Sequence, residues 1–292
     1  MALRWTADAV RQAAAEWVWV PQTADQILTS EYQLIAYPPH FQHPTQVAWS
    51  KSERPVAEII DEVTAQVRRW GRDTVYWWVR ADTGPRGTEA GLRSRGATVA
   101  ETVTVLAYDL ADSLPDLGLP GGLASPLFAS LPLAARPDGD AGSTDVAWLA
   151  SARAELVRNE HTLRASNLVN AEVWDDHRER TAAGFAAELA DVRAALEIWD
   201  DFRMVVYADG QPAAAGGCGL VDGVGRLWGA GTRPAFRRRG MYRVLLAARM
   251  AVAREHGATL ALVKGRIDTS GPILQRCGFT AYGEERSYCL PV

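Results

Sequence analysis

The sequence predicts an α/β protein of two tandem units, each a mixed, mostly antiparallel sheet flanked by helices. In the second half, Asp-Gly turns at Asp209 and Asp222 separate three runs of strand composition, which is typical of a β-meander. A basic glycine turn, an amphipathic helix and a further strand follow the meander. The first half has a related order of elements, and a stretch rich in proline and glycine separates the halves.

The first unit is predicted over residues 1–112. A helix from Arg54 to Trp70 has an apolar stripe suited to packing on a sheet. The stripe consists of Val56, Ile59, Ile60, Val63 and Val67. A strand of aromatic composition follows over Thr74–Val79, and the unit is predicted to end in a strand over Val105–Leu110.

Residues 113–124 are predicted to be a linker, and the second unit is expected over residues 125–292. A helix is predicted from Asp145 to Arg158, and a second helical region from about Glu172 to Ala190 or beyond. The later elements are predicted in this order: strands Phe202–Ala208 and Pro212–Val221, a strand ending at Thr232, a helix after Gly240, a strand over Ala258–Val263, the segment Thr269–Phe279 and a final strand over Glu285–Leu290.

The two halves match in pattern, which predicts an internal duplication. The matched positions are Gly71 with Gly257, Thr74–Val79 with Leu260–Gly265, and Gly96 with Gly278. The match is of pattern more than of residue identity. Each half would then be one copy of the same unit.

Composition limits the functional classes. A net charge of −4 argues against nucleic acid as a partner. No apolar run is long enough to span a bilayer, so a cytoplasmic protein without a membrane partner is expected. The three cysteines favour buried thiols over disulfides, and no His or Cys spacing matches a metal site, so no metal is expected.

The basic turn Arg237–Gly240 is predicted to bind phosphate. It opens a helix, where the first amides lack intrahelical partners and the helix dipole is positive. Three arginines add charge there, and Gly240 lets the backbone approach a diphosphate closely. Three arginines on a loop are more often a solvated surface, but the strand and helix on either side favour a binding site.

With this turn, the second half resembles the GNAT superfamily of N-acetyltransferases, which bind the pyrophosphate of acetyl-CoA at an R/Q-x-x-G-x-G/A turn. The resemblance runs from roughly residue 125 to the C-terminus, and Tyr242 replaces the last small residue of the pattern. It implies a set of residues that bind the cofactor acetyl-CoA: Ala230, Gly231, Thr232, Arg237, Arg238, Arg239, Gly240, Met241 and Tyr242.

The resemblance implies direct attack of a primary amine on the acetyl thioester, with both substrates bound in a ternary complex. A free alkyl amine has a pKa of about 10 and is protonated at neutral pH, so it must lose a proton before it attacks the thioester. Positioning of the two reactants supplies much of the acceleration. The thioester carbonyl is expected to be polarised by the backbone around Ala230, Gly231 and Thr232, rather than by the Thr232 side chain.

Catalytic side chains are less clearly marked. Many GNAT enzymes have a tyrosine as the acid at the position of Leu274. Tyr288 on the last strand is a substitute candidate, although a strand tyrosine is usually a core residue. Glu160 and His161 lie where GNAT enzymes commonly hold the acceptor, and either could move a proton through a water. An exposed pair at a helix end is the commoner explanation for them.

The first unit is predicted to be a degenerate GNAT-like domain. In the alignment of the two halves, Lys51–Arg54 takes the place of Arg237–Gly240, so the carboxylate of Glu53 stands where phosphate would lie. That turn is expected not to bind coenzyme A. A degenerate unit fused to an active one is similar in layout to mycothiol synthase, but nothing in this sequence indicates that enzyme's substrate.

Three functions remain open from the sequence. An N-acetyltransferase that acts on a small-molecule amine is preferred, because the fused first unit would narrow access to the site. The alternatives are a catalytically silent module that senses acyl-CoA and an N-acetyltransferase of peptides or proteins. The chain is expected to be a monomeric pseudo-dimer or a homodimer.

Overall fold

The computed structural model describes residues 5–39, 41–111, 114–115, 117, 151–175 and 181–292. The elements of the first half are α1 (Ala7–Ala15), β1 (Asp25–Leu28), β2 (Tyr32–Ala36), β3 (Thr45–Ser50), α2 (Val56–Arg69), β4 (Thr74–Val79), α3 (Thr88–Ser94) and β5 (Thr98–Asp109). Helix α2 confirms the predicted amphipathic helix, because Ile59, Ile60 and Val63 are fully buried. Trp77 of β4 lies in the same core.

The elements of the second half are β6 (Arg153–Leu156), α4 (Glu160–Trp174), α5 (Ala182–Ile198), β7 (Asp201–Ala208), β8 (Gln211–Val221), β9 (Val224–Thr232), a 3-10 turn (Pro234–Phe236), α6 (Met241–Glu255), β10 (Leu260–Arg266), α7 (Ser270–Arg276) and β11 (Thr280–Pro291). The two Asp-Gly turns of the meander are confirmed. Asp209 and Asp222 have φ of 48° and 49°, and the glycine after each has φ of 76°, as type I′ turns require.

The helices before the meander differ from the prediction. Residues 145–150 lie outside the described part of the chain, and the rest of the predicted helix Asp145–Arg158 contains β6, which pairs antiparallel with β7. Ladder hydrogen bonds to β7 outweigh the helical periodicity of this short segment. The helical region predicted from Glu172 is two helices, because Asp175 takes a left-handed conformation at the end of α4 and Thr181 caps α5.

The chain divides into two compact units. The flanking unit comprises Thr6–Leu106 and Lys264–Val292, and the central unit comprises Trp5 and the described part of Ala107–Val263. In the flanking unit, β11 pairs antiparallel with β4. The last strand of the chain therefore extends a sheet that begins in the first half.

This division differs from the boundaries predicted from the sequence, which were residues 1–112 and 125–292 with a linker over 113–124. Most of that linker lies outside the described residues. The reason for the difference is that the hydrogen bonds of β11, and not its place in the sequence, decide the unit to which it belongs.

Positions matched between the halves have matching backbone conformations. Gly71 and Gly257 follow α2 and α6 with φ of 68° and 89°, and Gly96 and Gly278 follow α3 and α7 with φ of 86° and 89°. The strands that come next, β5 and β11, have 12 residues each. These correspondences are those that a duplication predicts.

The central unit has a mixed sheet in the order β10-β9-β8-β7-β6. Its neighbours are antiparallel except β9 and β10, which are parallel. Helices α4 and α5 cover the face that bears Val205 and Gly231. Helix α6 covers the opposite face, where Gly216 and Gly225 leave room for it.

Candidate functional site

The turn before α6 has the geometry of an anion site. Gly240 is the N-cap of α6 with φ of 76°, and no side chain caps this helix end. The first hydrogen bond into the helix runs from the Val244 amide to the Gly240 carbonyl. The amides of residues 241–243 precede this first intrahelical bond, and the helix dipole adds positive potential there.

The three arginines surround this helix end. Arg237 and Arg238 are exposed, Arg239 is half-buried, and Arg238 has a left-handed φ of 62°. The Nε atom of Arg237 donates to the Thr232 carbonyl at 3.2 Å. This bond joins the turn to the end of β9, so the predicted phosphate residues and the predicted thioester strand lie together.

Strand β9 diverges from β10 next to this turn. The two strands pair only over Val224–Arg226 with Leu260–Leu262, while the pairing of β9 with β8 continues to Thr232. A β-bulge interrupts the pairing of β8 and β9, and within it Gly229 has a φ of 59°. Ala230 is also part of the bulge, and Gly231 and Thr232 follow it, beyond the stretch paired with β10.

The hydroxyl of Thr232 is buried and has no hydrogen-bond partner among the described residues. A buried hydroxyl without a partner costs free energy, so it fits a site that a polar ligand completes. This hydroxyl and the N-terminus of α6 lie at the two ends of the segment Thr232–Gly240.

Helix α4 covers β9 on the other face of the sheet. A Cβ on Gly231 would overlap the side chain of Val173, so the helix touches the strand backbone at this point. Glu172 forms an ion pair with Arg233 at 2.6 Å. The hydrogen bond from Arg233 lowers the pKa of Glu172. These contacts hold the C-terminal end of α4 against the strand that carries the predicted thioester site.

Two polar residues of this unit were missed by sequence analysis. Arg249 of α6 is 1% exposed, and Asp201 of β7 is half-buried with its Oδ2 atom accepting from Trp228 Nε1 at 2.8 Å. Burial raises the pKa of Asp201 to about 6 and lowers the pKa of Arg249. The burial of Arg249 could have been predicted from its position in the long apolar run of α6, near the stripe residues Leu245 and Val252.

Tyr288 belongs to the flanking unit, whereas the predicted cofactor residues belong to the central unit. Tyr288 is a fully buried residue of the flanking unit, in the core beside Trp77. Its hydroxyl donates to Glu89 and accepts from Arg93 at 2.9 Å, and burial raises its pKa. Tyr288 therefore has the surroundings of a core residue, as is usual for a tyrosine in a strand.

Glu160 and His161 lie in the first turn of α4, after the N-cap Asn159. Both are exposed. Glu160 pairs with Arg164, and His161 stacks on Tyr207 with 5.9 Å between the ring centroids. At a rise of 1.5 Å per residue, His161 lies about 18 Å along the helix from Val173, which contacts Gly231. The structure therefore separates this pair from the end of α4 that covers β9.

In the first half, the turn that corresponds to Arg237–Gly240 has polar side chains already paired with carboxylates of the protein. Arg54 pairs with Glu31 at 3.0 Å and with Glu62 at 2.9 Å, and Ser52 donates to Glu31. The hydrogen bonds from Ser52 and Arg54 lower the pKa of Glu31. The predicted carboxylate, Glu53, is exposed, so Glu31 is the acid that Arg54 binds there.

Leu274, which stands where many GNAT enzymes have tyrosine, is fully buried in α7. Within the described ranges, no three His, Cys, Asp or Glu side chains are grouped as metal ligands. No helix in the described part of the chain is long and apolar enough to cross a membrane.

Residues 167–279 match the sequence model of the Acetyltransferase (GNAT) family. The match begins within α4 and includes the meander, the basic turn, α6 and α7. Among curated proteins, none matched this sequence significantly.

Solved structures share the fold over nearly the whole chain. A GCN5-related N-acetyltransferase from Kribbella flavida is 19% identical with a TM-score of 0.62, covering 97% of this chain and 96% of that one. A GCN5-related N-acetyltransferase from Sphaerobacter thermophilus is 14% identical with a TM-score of 0.57, covering 96% and 84%.

A tandem GNAT protein from the clavulanic acid biosynthesis pathway is 13% identical with a TM-score of 0.56, covering 97% of this chain and 87% of that one. At these identities the likeness establishes the fold, and the family match establishes the acetyltransferase domain. Residues 167–279 are therefore an acetyltransferase domain of the GNAT family, and the chain as a whole shares the fold of these solved structures.

Proposed function

We propose that this protein transfers the acetyl group of acetyl-CoA to a primary amine of a small molecule, by direct attack in a ternary complex. The observation that carries the proposal is the uncapped N-terminus of α6 at the turn Arg237–Gly240. Its open amides and the guanidinium groups beside them suit a diphosphate, which the helix dipole also attracts. Acetyl-CoA would supply the acetyl group as an activated thioester.

The chain's own residues would bind and orient that thioester. Backbone donors among Ala230, Gly231 and Thr232 lie in and just after the bulge of β9, where the strand has left β10. A donor held in place before reaction stabilises developing charge on a carbonyl oxygen without reorganising. The unpartnered hydroxyl of Thr232 would complete its hydrogen bonding with the bound substrate.

A small acceptor is favoured by the contact between Val173 and Gly231. Helix α4 packs onto the backbone of β9 at this point, and the pair Glu172–Arg233 holds the helix end there. A small amine needs less clearance beside this helix than the terminus of a folded protein does. We assign no donor site to the first half, because Arg54 is bound by Glu31 and Glu62.

The donor site is tested by thermal unfolding with and without saturating acetyl-CoA. At about 100 times the dissociation constant, the ligand should stabilise the parent by about 2.7 kcal/mol, which is a rise of roughly 5–10 °C in Tm. The double variant Arg238→Glu, Gly240→Asp should lose this rise. The exposed Arg254 at the far end of α6 supplies a matched control, since Arg254→Glu makes a similar charge change away from the turn.

A folded parent without a rise would remove the basis of the proposal. With binding established, release of coenzyme A thiol is measured against a panel of small primary amines. Turnover with a small amine supports the proposal. Binding without turnover across a wide panel would favour an acyl-CoA sensor, and labelling of proteins in a lysate given radiolabelled acetyl-CoA would favour a protein acceptor.

A further inference from the structure

Arg249 is a buried cation that no carboxylate neutralises among the described residues. It lies two turns into α6 and is 1% exposed. Its titratable neighbours are the Tyr242 hydroxyl and the Cys218 thiol, which are both neutral groups, and burial lowers the pKa of its guanidinium. A buried guanidinium without an ion pair is costly, and an apolar side chain of similar length would stabilise a helix–sheet contact better.

The guanidinium of Arg249 binds the backbone at the β-bulge. Its Nη1 atom donates to the Gly217 carbonyl at 3.1 Å and to the Trp228 carbonyl at 3.4 Å. Gly217 and Trp228 are direct partners in the pairing of β8 with β9, at the last paired position before the bulge. Arg249 therefore binds both strands at the position where their ladder is interrupted.

The surroundings of Arg249 are shaped to admit it. A Cβ on Gly216 would lie 3.2 Å from Arg249 Nη1 and 3.0 Å from the Ala230 Cα atom. Gly216 is the single residue of β8 that lies opposite Gly229 and Ala230 in the bulge, and Ala230 belongs to the predicted thioester backbone. The guanidinium thus lies next to the bulge from which the segment Ala230–Thr232 begins.

Arg249 also contacts the anion turn. The hydroxyl of Tyr242 hydrogen-bonds to its guanidinium, and Tyr242 stands in the first turn of α6. The Nε atom of Arg249 donates to the Leu245 carbonyl at 3.4 Å. One side chain therefore connects the two parts of the donor site, the helix end and the bulged strand. The planar guanidinium fork of arginine is suited to connecting these two parts, because its several N–H donors bind several acceptors in a fixed geometry.

We propose that Arg249 is a positioning residue, which holds the β9 bulge so that the backbone of Ala230–Thr232 polarises the thioester carbonyl of bound acetyl-CoA. The proposal rests on the donor site proposed above. It assigns Arg249 no contact with the substrate. It predicts that losing the fork weakens the polarisation of the carbonyl more than it weakens the binding of coenzyme A.

The experiment uses acetyl-CoA labelled with ¹³C at the carbonyl carbon. Bound to the parent, the carbonyl resonance should move downfield from its free position, because hydrogen bonding polarises the bond. Arg249→Lys keeps the charge but not the fork. It should lose at least about half of the downfield shift while its Kd for coenzyme A stays within about threefold of the parent value. Arg249→Met removes both charge and fork, and the exposed Arg254→Met is the matched control.

A downfield shift in Arg249→Lys equal to that of the parent overturns the proposal, even if the variant is less stable, because a purely structural role lowers Tm without moving the resonance. If Arg249→Met does not fold, the lysine variant still decides the question. Failure of the donor site itself is a different result, in which the parent binds no acetyl-CoA and shows no bound resonance at all.

Discussion

Asp201 illustrates how burial acts on a single residue of the central unit. Its carboxyl group accepts from Trp228 Nε1 and lies near Arg203, whose guanidinium is 2.7 Å from Glu188. Desolvation is the largest influence on Asp201 and raises its pKa to about 6. The folded protein therefore holds the proton of this carboxyl group more tightly than the unfolded chain does.

The variant Asp201→Asn tests this directly. In the parent, the unfolded carboxyl group ionises near pH 4 while the folded one stays protonated to about pH 6, so the parent loses stability relative to the variant over that interval. The relative loss should approach about 3 kcal/mol and then level off above pH 6. Urea unfolding of both proteins between pH 4 and 7 measures it. A difference in unfolding free energy that stays constant with pH would contradict the assignment.

Thr232 is a second residue whose environment predicts a measurable effect. Thr232→Val keeps the shape of the side chain and removes its unpartnered buried hydroxyl, so the ligand-free protein should be as stable as the parent or more stable. Affinity for acetyl-CoA should fall by about 1 kcal/mol, or roughly fivefold in Kd, because the substrate loses a hydrogen bond. Calorimetric titration measures the Kd, and an unchanged affinity would exclude the hydroxyl from the site.

Among the elements, α4 and β9 form a close helix–strand contact near the candidate site. Gly231 has no room for a Cβ because Val173 occupies the space. The capping box of Asn159 and Thr162 begins α4, and Asp175 in a left-handed conformation ends it. These boundaries set which turn of the helix lies over Gly231, so the element boundaries decide the site's geometry.

The variant Gly231→Ala should be destabilised by about 1–3 kcal/mol, because the new methyl group overlaps Val173. Adding Val173→Ala removes the overlapping atoms. The double variant should therefore be more stable than Gly231→Ala alone, although Val173→Ala by itself loses apolar contacts. Denaturant unfolding of the four proteins gives the coupling energy. Additive effects of the two substitutions would mean that the contact does not form.

For the whole molecule, the central question is how many donor sites two similar halves supply. The second half has the uncapped turn at Gly240, whereas Arg54 in the first half is held by Glu31 and Glu62. A guanidinium already paired with carboxylates has its donors occupied and its charge balanced, so it attracts a diphosphate weakly. Only one of the two copies should therefore bind acetyl-CoA.

Titration calorimetry should give one acetyl-CoA per chain. Arg238→Glu, Gly240→Asp should abolish binding altogether, because no second site remains. Two equivalents bound by the parent, or one equivalent still bound by the variant, would show that the first half retains a donor site. The variant Glu31→Gln weakens the ion pair of Arg54 and serves as the control for a hidden site in that half.

The sequence predicted the local elements near the site with good accuracy. The Asp-Gly hairpins and the turn Arg237–Gly240 depend on residues within a few positions of one another, and the structure contains them. The strand β6 was missed, because four residues carry little periodicity and their conformation depends on pairing with β7. The break between α4 and α5 was missed because the cap at Thr181 was not read as a helix start.

By itself, the sequence determined the order of elements from the meander onwards, the repeated pattern of the halves and the glycine turn that opens α6, because glycine conformation, turn chemistry and amphipathic periodicity are local properties. Only the tertiary structure decided that β11 joins β4, that α4 touches Gly231 and that the buried Arg249 binds the bulge. Those contacts join residues far apart in the chain, and their hydrogen bonds and packing form only when the sheet is assembled.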